Sequence, residues 1–257
     1  MTVTLDCENQ SSTLKSISNI YDIEPEILEI FLKNFDLENH SKMKAIRHTY
    51  DCELQIELEK QLKCKPQNIT CCYWFHLSRT LPDEDFSEGI LPLSICLEKV
   101  WETIYKVFKG TPHEQRLYSM QTNGSIKGMY TTKLECDQGP YAMLVAESAY
   151  RPNEVGNYDY LNLPEIMRDI CNAYENKYKI SLHNELKQNL TPKIVKFKTK
   201  SNIKQYILQT ALYYLYNTFK NQKLSHLSNT TFDGEKNTIL PHQIVKIIDI
   251  KKPNKSL

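Results

Sequence analysis

Residues 71–91 read CCYWFHLSRTLPDEDFSEGIL. Extended backwards to Ile69, the run ITCCYWFHL is β-branched and aromatic, with Pro66 and Asn68 before it and Pro82 after it. That pattern predicts a strand. The strand ends on three polar side chains, His76, Ser78 and Arg79. A turn through LPDED comes next, and then FSEGIL brings in Gly89, one of only seven glycines in the chain.

Upstream of this strand the chain predicts helices. DIEPEILEIFLKNF, residues 22–35, places Asp22 as a cap and Pro25 in the first turn. Ile27, Leu28, Phe31, Leu32 and Phe35 form its apolar face. A second helix is expected over 40–63, ending near KCKPQN. Together these predict an acidic helical extension over residues 1–65, separable from the rest of the chain.

Downstream, strands and helices alternate. LPLSICLEKVWETIYKVFKG is an amphipathic helix stopping at Gly110. MYTTKLEC and GPYAMLVAES read as strands, and LNLPEIMRDICNAYENKY reads as a helix. PKIVKFKTK alternates strictly, with Lys196, Lys198 and Lys200 opposite Val195 and Phe197. NIKQYILQTALYYLYNTF is apolar nearly all round and predicts a buried helix. TIL and QIVKIIDI are expected as terminal strands around Pro241. The fold class expected is α+β: a central mixed or antiparallel sheet over residues 66–257 behind a helical N-terminal extension.

Composition excludes several classes. The 257 residues are 40% hydrophobic and 25% charged, as in an ordinary globular protein. Mean hydropathy is −0.51. No apolar run approaches the roughly 18 residues of a membrane helix. The opening MTVTLDCENQSS carries neither a basic nor an apolar leader pattern, so no signal peptide, no membrane partner and a cytoplasmic location are expected. Eight cysteines without a CxxC are too sparse for a disulfide scaffold. Cys64, Cys71, Cys72 and His76 are the tightest group, but adjacent Cys71 and Cys72 face opposite sides of a strand, so no metal is expected. The net charge of +1 conceals an asymmetry: residues 177–257 carry +11 and the first 176 carry −10. Such a division suits either an anionic partner or two halves that neutralise one another. GxGxxG, GxxxxGK[ST], GxSxG and HExxH motifs are all missing.

The sequence strand–His76–x–Ser78–Arg79–acidic loop–Phe86–x–x–Gly89–Ile90 resembles the first strand of the ADP-ribosyltransferase fold. The likeness is to the bacterial toxin branch that includes DarT-type DNA ADP-ribosyltransferases. A second likeness lies in FDGEKNTILPHQIVKIIDI, where Pro241, Ile244 and Ile247 match the family's closing strand. The resemblance covers three short islands and none of the first 65 residues. It implies a split sheet and NAD as substrate. It also implies His76 on the nicotinamide-side ribose, Ser78 in support, and Arg79 at a phosphate. Tyr141 would stack on nicotinamide, with Tyr130 as the alternative. Glu235 would be the catalytic acid, with Asp233 as its competitor. Gly89 would allow backbone to approach the ligand.

Each residue also has a plainer use. His76 fits a satisfied core histidine, Arg79 a pair with Asp83, Glu84 or Asp85, Gly89 a helix end, and Asp233–Gly234 a hairpin turn. Three functions therefore stay open. One is an NAD-dependent ADP-ribosyltransferase, a toxin or phage-defence effector acting on a nucleic acid or protein. Another is a non-enzymatic interaction protein whose acidic N-terminal helices meet a partner protein. The last is a nucleic-acid-binding protein using the basic half, where Lys196, Lys198 and Lys200 line either a groove or a charged edge strand. Tyr206, Tyr213, Tyr214 and Tyr216 would then stack on bases or pack a core.

Overall fold

A computed structural model describes residues 2–43, 48–123, 139–200 and 204–250. In chain order its strands and helices are β1 (Thr4–Leu5), α1 (Gln10–Tyr21), α2 (Pro25–Asn34), α3 (Leu37–Met43), α4 (Tyr50–Leu62), β2 (Cys71–Thr80), α5 (Leu93–Phe108) and α6 (Pro112–Thr122). They continue with β3 (Tyr141–Met143), α7 (Pro152–Val155), α8 (Glu165–Tyr178), α9 (His183–Asn189), β4 (Thr191–Thr199), α10 (Gln205–Phe219), β5 (Thr231–Asp233) and β6 (Ile244–Asp249). The expected α+β class is borne out. The expected strand over MYTTKLEC lies outside the described residues.

The sheet runs β5-β3-β2-β4-β6, with β1 added beside β2. It is mixed: β1 pairs parallel with β2 through Thr4–Cys71 and Leu5–Cys72, and β3 pairs antiparallel with β2 at Met143–Phe75. β2 is therefore central, which suits its aromatic composition. β4 lies between β2 and β6, so it is not an edge strand. Its lysines are not a uniform solvent face either, since Lys198 is half-buried and only Lys200, just beyond β4, is exposed. Lys196 is buried, and Lys193 is buried with its ammonium 2.9 Å from Asp249 and 3.1 Å from the Pro82 carbonyl. The partners of Lys193 lie far away in sequence, where no local pattern shows them.

The chain divides into two compact units. One comprises residues 1–75, 142–158 and 197–232; the other comprises 76–141, 159–196 and 233–257. This division does not follow the boundary expected near residue 65. The first unit is organised by α10, whose positions 207, 208 and 210–217 are all buried, as its all-round apolar pattern predicts. Such a helix needs cover on every side, and α1, α2 and α4 supply it. The N-terminal helices thus belong to the same unit as α10.

Their boundaries also differ in detail. Asp22 does not cap α2; it ends α1 in the left-handed conformation, and Glu24 precedes α2 without a side-chain cap. The helix expected over 40–63 is α3 and α4. Three of the four clustered tyrosines serve the core, since Tyr213, Tyr214 and Tyr216 are buried and only Tyr206 is exposed.

In the second unit α5, α6, α8 and α9 pack around Trp101, Phe108, Met167, Ile170, Tyr174 and Leu186. Gly89 lies in this unit but ends no helix. Its N–H closes a turn on the Phe86 carbonyl at 2.8 Å, and its φ is +86°. Ile90 then pairs antiparallel with Ile239. A Cβ at Gly89 would stand 2.1 Å from the Ile239 carbonyl oxygen. The glycine is thus required by a close approach of backbone to backbone. Gly89→Ala is expected to cost about 3 kcal/mol, combining left-handed strain with displacement of the Ile239 backbone. Urea unfolding measures this, and a loss below about 1 kcal/mol would contradict the close approach.

Candidate functional site

β2 alternates its side chains, so His76 and Ser78 share one face and Arg79 lies on the other. His76 and Ser78 are half-buried, and Arg79 is buried. His76 Nδ1 is 2.7 Å from the backbone carbonyl of Tyr141, the first residue of β3. A carbonyl can only accept, so Nδ1 carries the hydrogen and Nε2 is the acceptor nitrogen of the neutral ring. Burial lowers the His76 pKa below its ordinary value of 6.5, and the hydrogen bond to Tyr141 only partly offsets this. The ring is neutral at pH 7.

A pH dependence results. Below pH 6.5 the unfolded chain protonates this ring while the folded chain still resists, so the unfolded state binds more protons. Stability contributed by the neutral ring is present above 6.5 and is lost as pH falls toward the lower, folded value. His76→Asn, whose amide can still donate to the Tyr141 carbonyl, is expected to flatten the acid limb of stability between pH 7 and pH 5. Urea midpoints across that range test it; an unchanged slope would mean that His76 titrates normally.

Tyr141 is tied to a second segment. The Pro140 carbonyl accepts from Gly234 N–H at 3.0 Å, and the Gly139 carbonyl accepts from Lys236 N–H at 2.9 Å. Gly234 is buried against Pro140, where an added Cβ would meet the proline Cδ at 2.6 Å. The Asp-Gly signal is therefore a turn, and its glycine is also a contact surface. Asp233 Oδ1 accepts the Glu235 N–H at 2.9 Å, which fixes the turn in the manner of an Asx motif. Glu235 adopts a left-handed φ of 49° and is exposed. Of the two competing carboxylates, Asp233 is thus engaged by backbone and Glu235 stands out from the turn.

Arg79 is used differently from the expectation of a phosphate ligand. Its Nε donates to the Leu161 carbonyl at 2.9 Å, and its Nη1 donates to Lys187 and Leu190 at 2.6 and 3.0 Å. Lys187 and Leu190 are at the C-terminal end of α9, whose last carbonyls lack helical partners. A guanidinium there satisfies them and complements the negative end of the helix. Burial lowers the Arg79 pKa, and the Asp159 charge raises it in part. None of Asp83, Glu84 or Asp85 is the partner in these bonds. Gly89 stands against the Ile239 backbone, and Tyr130 lies outside the described residues.

The structure therefore joins three of the predicted segments, those of His76, Tyr141 and Glu235, by hydrogen bonds through the backbone of 139–141. Ser78 joins them by sharing a strand face with His76. Sequence reasoning missed the anchoring part of Gly139, Pro140 and Gly234; Gly-Pro and Asp-Gly were visible only as separate breaks. It also missed the carbonyls that take Arg79, which have no sequence signature. The described cysteines are free thiols, and burial raises the Cys72 pKa strongly. Among the described residues one group has metal-ligand spacing, His40, Glu53 and Glu57, and it belongs to the first unit. Compared with known proteins, the chain matches no family model, no curated protein and no solved structure.

Proposed function

We propose that the chain is an NAD-dependent ADP-ribosyltransferase acting on a macromolecular acceptor, a nucleic acid or a protein, as a toxin or defence effector in the cytoplasm. The observation that carries this reading is the hydrogen-bonded junction of β2, the 139–141 segment and the 233–237 turn. It supports a common site for His76, Tyr141 and Glu235, the residues that the resemblance assigns to NAD.

In this reading the Nε2 lone pair of neutral His76 accepts a hydrogen bond from a ribose hydroxyl. Ser78 lies two residues along the same face, within the same ribose neighbourhood. Tyr141 offers its ring to nicotinamide. Glu235 faces the ribose carbon, where the bond to nicotinamide breaks and positive charge develops. Nicotinamide leaves with the bonding electron pair. The acceptor's nucleophile bonds to the same carbon and its proton is released to water. Arg79 holds β2 against α9 through the carbonyls of Lys187 and Leu190. Among the described residues no helix is long and apolar enough to cross a membrane.

The test is transfer of label from adenine-labelled NAD to the nucleic-acid or protein fraction of a cell extract, with nicotinamide release measured in parallel. Label in one fraction together with released nicotinamide supports the reading and identifies the acceptor class. Neither label nor nicotinamide overturns it.

A second reading, an interaction protein, draws on α2. This helix exposes Ile27 and Ile30 beside its acidic residues. It is favoured if NAD is inert and a partner binding α2 is lost on Ile30→Asp.

A further inference from the structure

We propose that His40, Glu53 and Glu57 bind a divalent first-row transition-metal ion through one imidazole nitrogen and two carboxylate oxygens. His40 comes from α3. Glu53 and Glu57 are four residues apart on α4 and so project from one face of that helix. His40 Nε2 is 2.8 Å from Glu53 Oε1 and 3.6 Å from Glu57 Oε1. One ligand atom from each residue lies within 4.8 Å of the other two. Ligands around a tetrahedral ion at about 2.0–2.2 Å stand roughly 3.3–3.6 Å apart, so small side-chain adjustments admit the ion.

Burial makes this more than a surface ion pair. Glu53 and Glu57 are only 7% and 5% exposed. Two carboxylates converging out of water are costly to bury, and a cation bound beside the imidazole offsets that cost. Gln61 Nε2 donates to Glu57 Oε2 at 3.3 Å, so Oε1 is the oxygen turned toward His40. Such an outer contact orients a ligating carboxylate. Lys60 reaches Glu57 Oε1 at 3.4 Å, but its side chain is 65% exposed and its charge is screened by water. It acts as a competing cation. The Phe35 ring lies 5.3 Å from the imidazole and forms an apolar wall beside it.

The imidazole selects against Mg²⁺ and Ca²⁺, which prefer all-oxygen sites. Zn²⁺ should bind more tightly than Mn²⁺, in the usual order for nitrogen and oxygen ligands. Three protein ligands leave a fourth position to water.

The experiment is titration of the full chain, cleared of metal with a chelator, with Zn²⁺ by calorimetry and with Co²⁺ by visible absorption. One equivalent is expected, with Co²⁺ bands free of sulfur charge transfer. That criterion excludes the eight cysteines as the source of binding. Glu57→Gln, of the same shape, should weaken Zn²⁺ at least tenfold, and Lys60→Met should tighten it severalfold. Both variants are checked for wild-type circular dichroism, so the test does not depend on His40→Ala, which could disturb α3. Absence of saturable binding, sulfur bands with Co²⁺, or equal affinity in Glu57→Gln overturns the proposal. The trio is then a polar contact of one imidazole with two carboxylates.

Discussion

Replacing Arg79 with methionine is expected to cost about 4 kcal/mol of stability. Methionine keeps the apolar stem but supplies no donor. Three carbonyls, those of Leu161, Lys187 and Leu190, then lose their bonds, two of them at the end of α9. A hydrogen bond to a charged group contributes about 1.5–3 kcal/mol, and three sharing one guanidinium do not add fully. Lysine carries the charge without the planar fork and should restore less than half of the loss. Urea unfolding of Arg79→Met and Arg79→Lys measures both. A cost below about 1 kcal/mol for methionine would show that β2 is held by other contacts.

Glu235→Gln is expected to lower nicotinamide release at least about a hundredfold, the usual consequence of removing one preorganised electrostatic group. NAD affinity should stay within about twofold, because a carboxylate that opposes charge developing at the ribose acts mainly in the transition state. Asp233→Asn is the informative companion. Its Oδ1 can still accept the Glu235 N–H, so the turn persists and turnover should fall only a few-fold. Equal losses in the two variants, or a parallel loss of affinity and rate in Glu235→Gln, would remove Glu235 from the proposed role.

The parts of the fold that were legible in the sequence are those with a strong local signal. β2 and α10 announced themselves through aromatic and apolar density, and α5 and α8 through their periodicity. α1 was invisible, because QSSTLKSISNIY is polar and its buried face includes Thr13, Ser16 and Ser18. α6, PHEQRLYSMQT, buries only Leu117 and Met120 and has little stripe to read. The lysines of β4 misled in the opposite direction. Strict alternation of Lys196, Lys198 and Lys200 predicts an exposed charged face, yet Lys196 is buried and only Lys200, past the end of the strand, is exposed.

The candidate site divides in the same way. His76 within an aromatic strand was conspicuous, and the order of the segments around it could be proposed from a resemblance. Their junction could not, because every bond in it ends on a carbonyl of residues 139–141, two of which take amide N–H groups of the 233–237 turn. Main-chain groups are common to all residues and leave no mark in a sequence. Arg79 shows the cost of that silence. Its side chain suggests an anion, while its partners are three carbonyls.

The most direct measurement is a calorimetric titration of the full chain with NAD, repeated on His76→Asn. Asparagine can retain the donor to the Tyr141 carbonyl but removes the Nε2 acceptor, so it separates ligand contact from local structure. Saturable binding to the wild type is expected, weakened about tenfold in the variant, as fits one lost hydrogen bond. Wild-type protein that gives no saturable heat up to millimolar NAD, or binding unchanged in His76→Asn, would contradict that expectation.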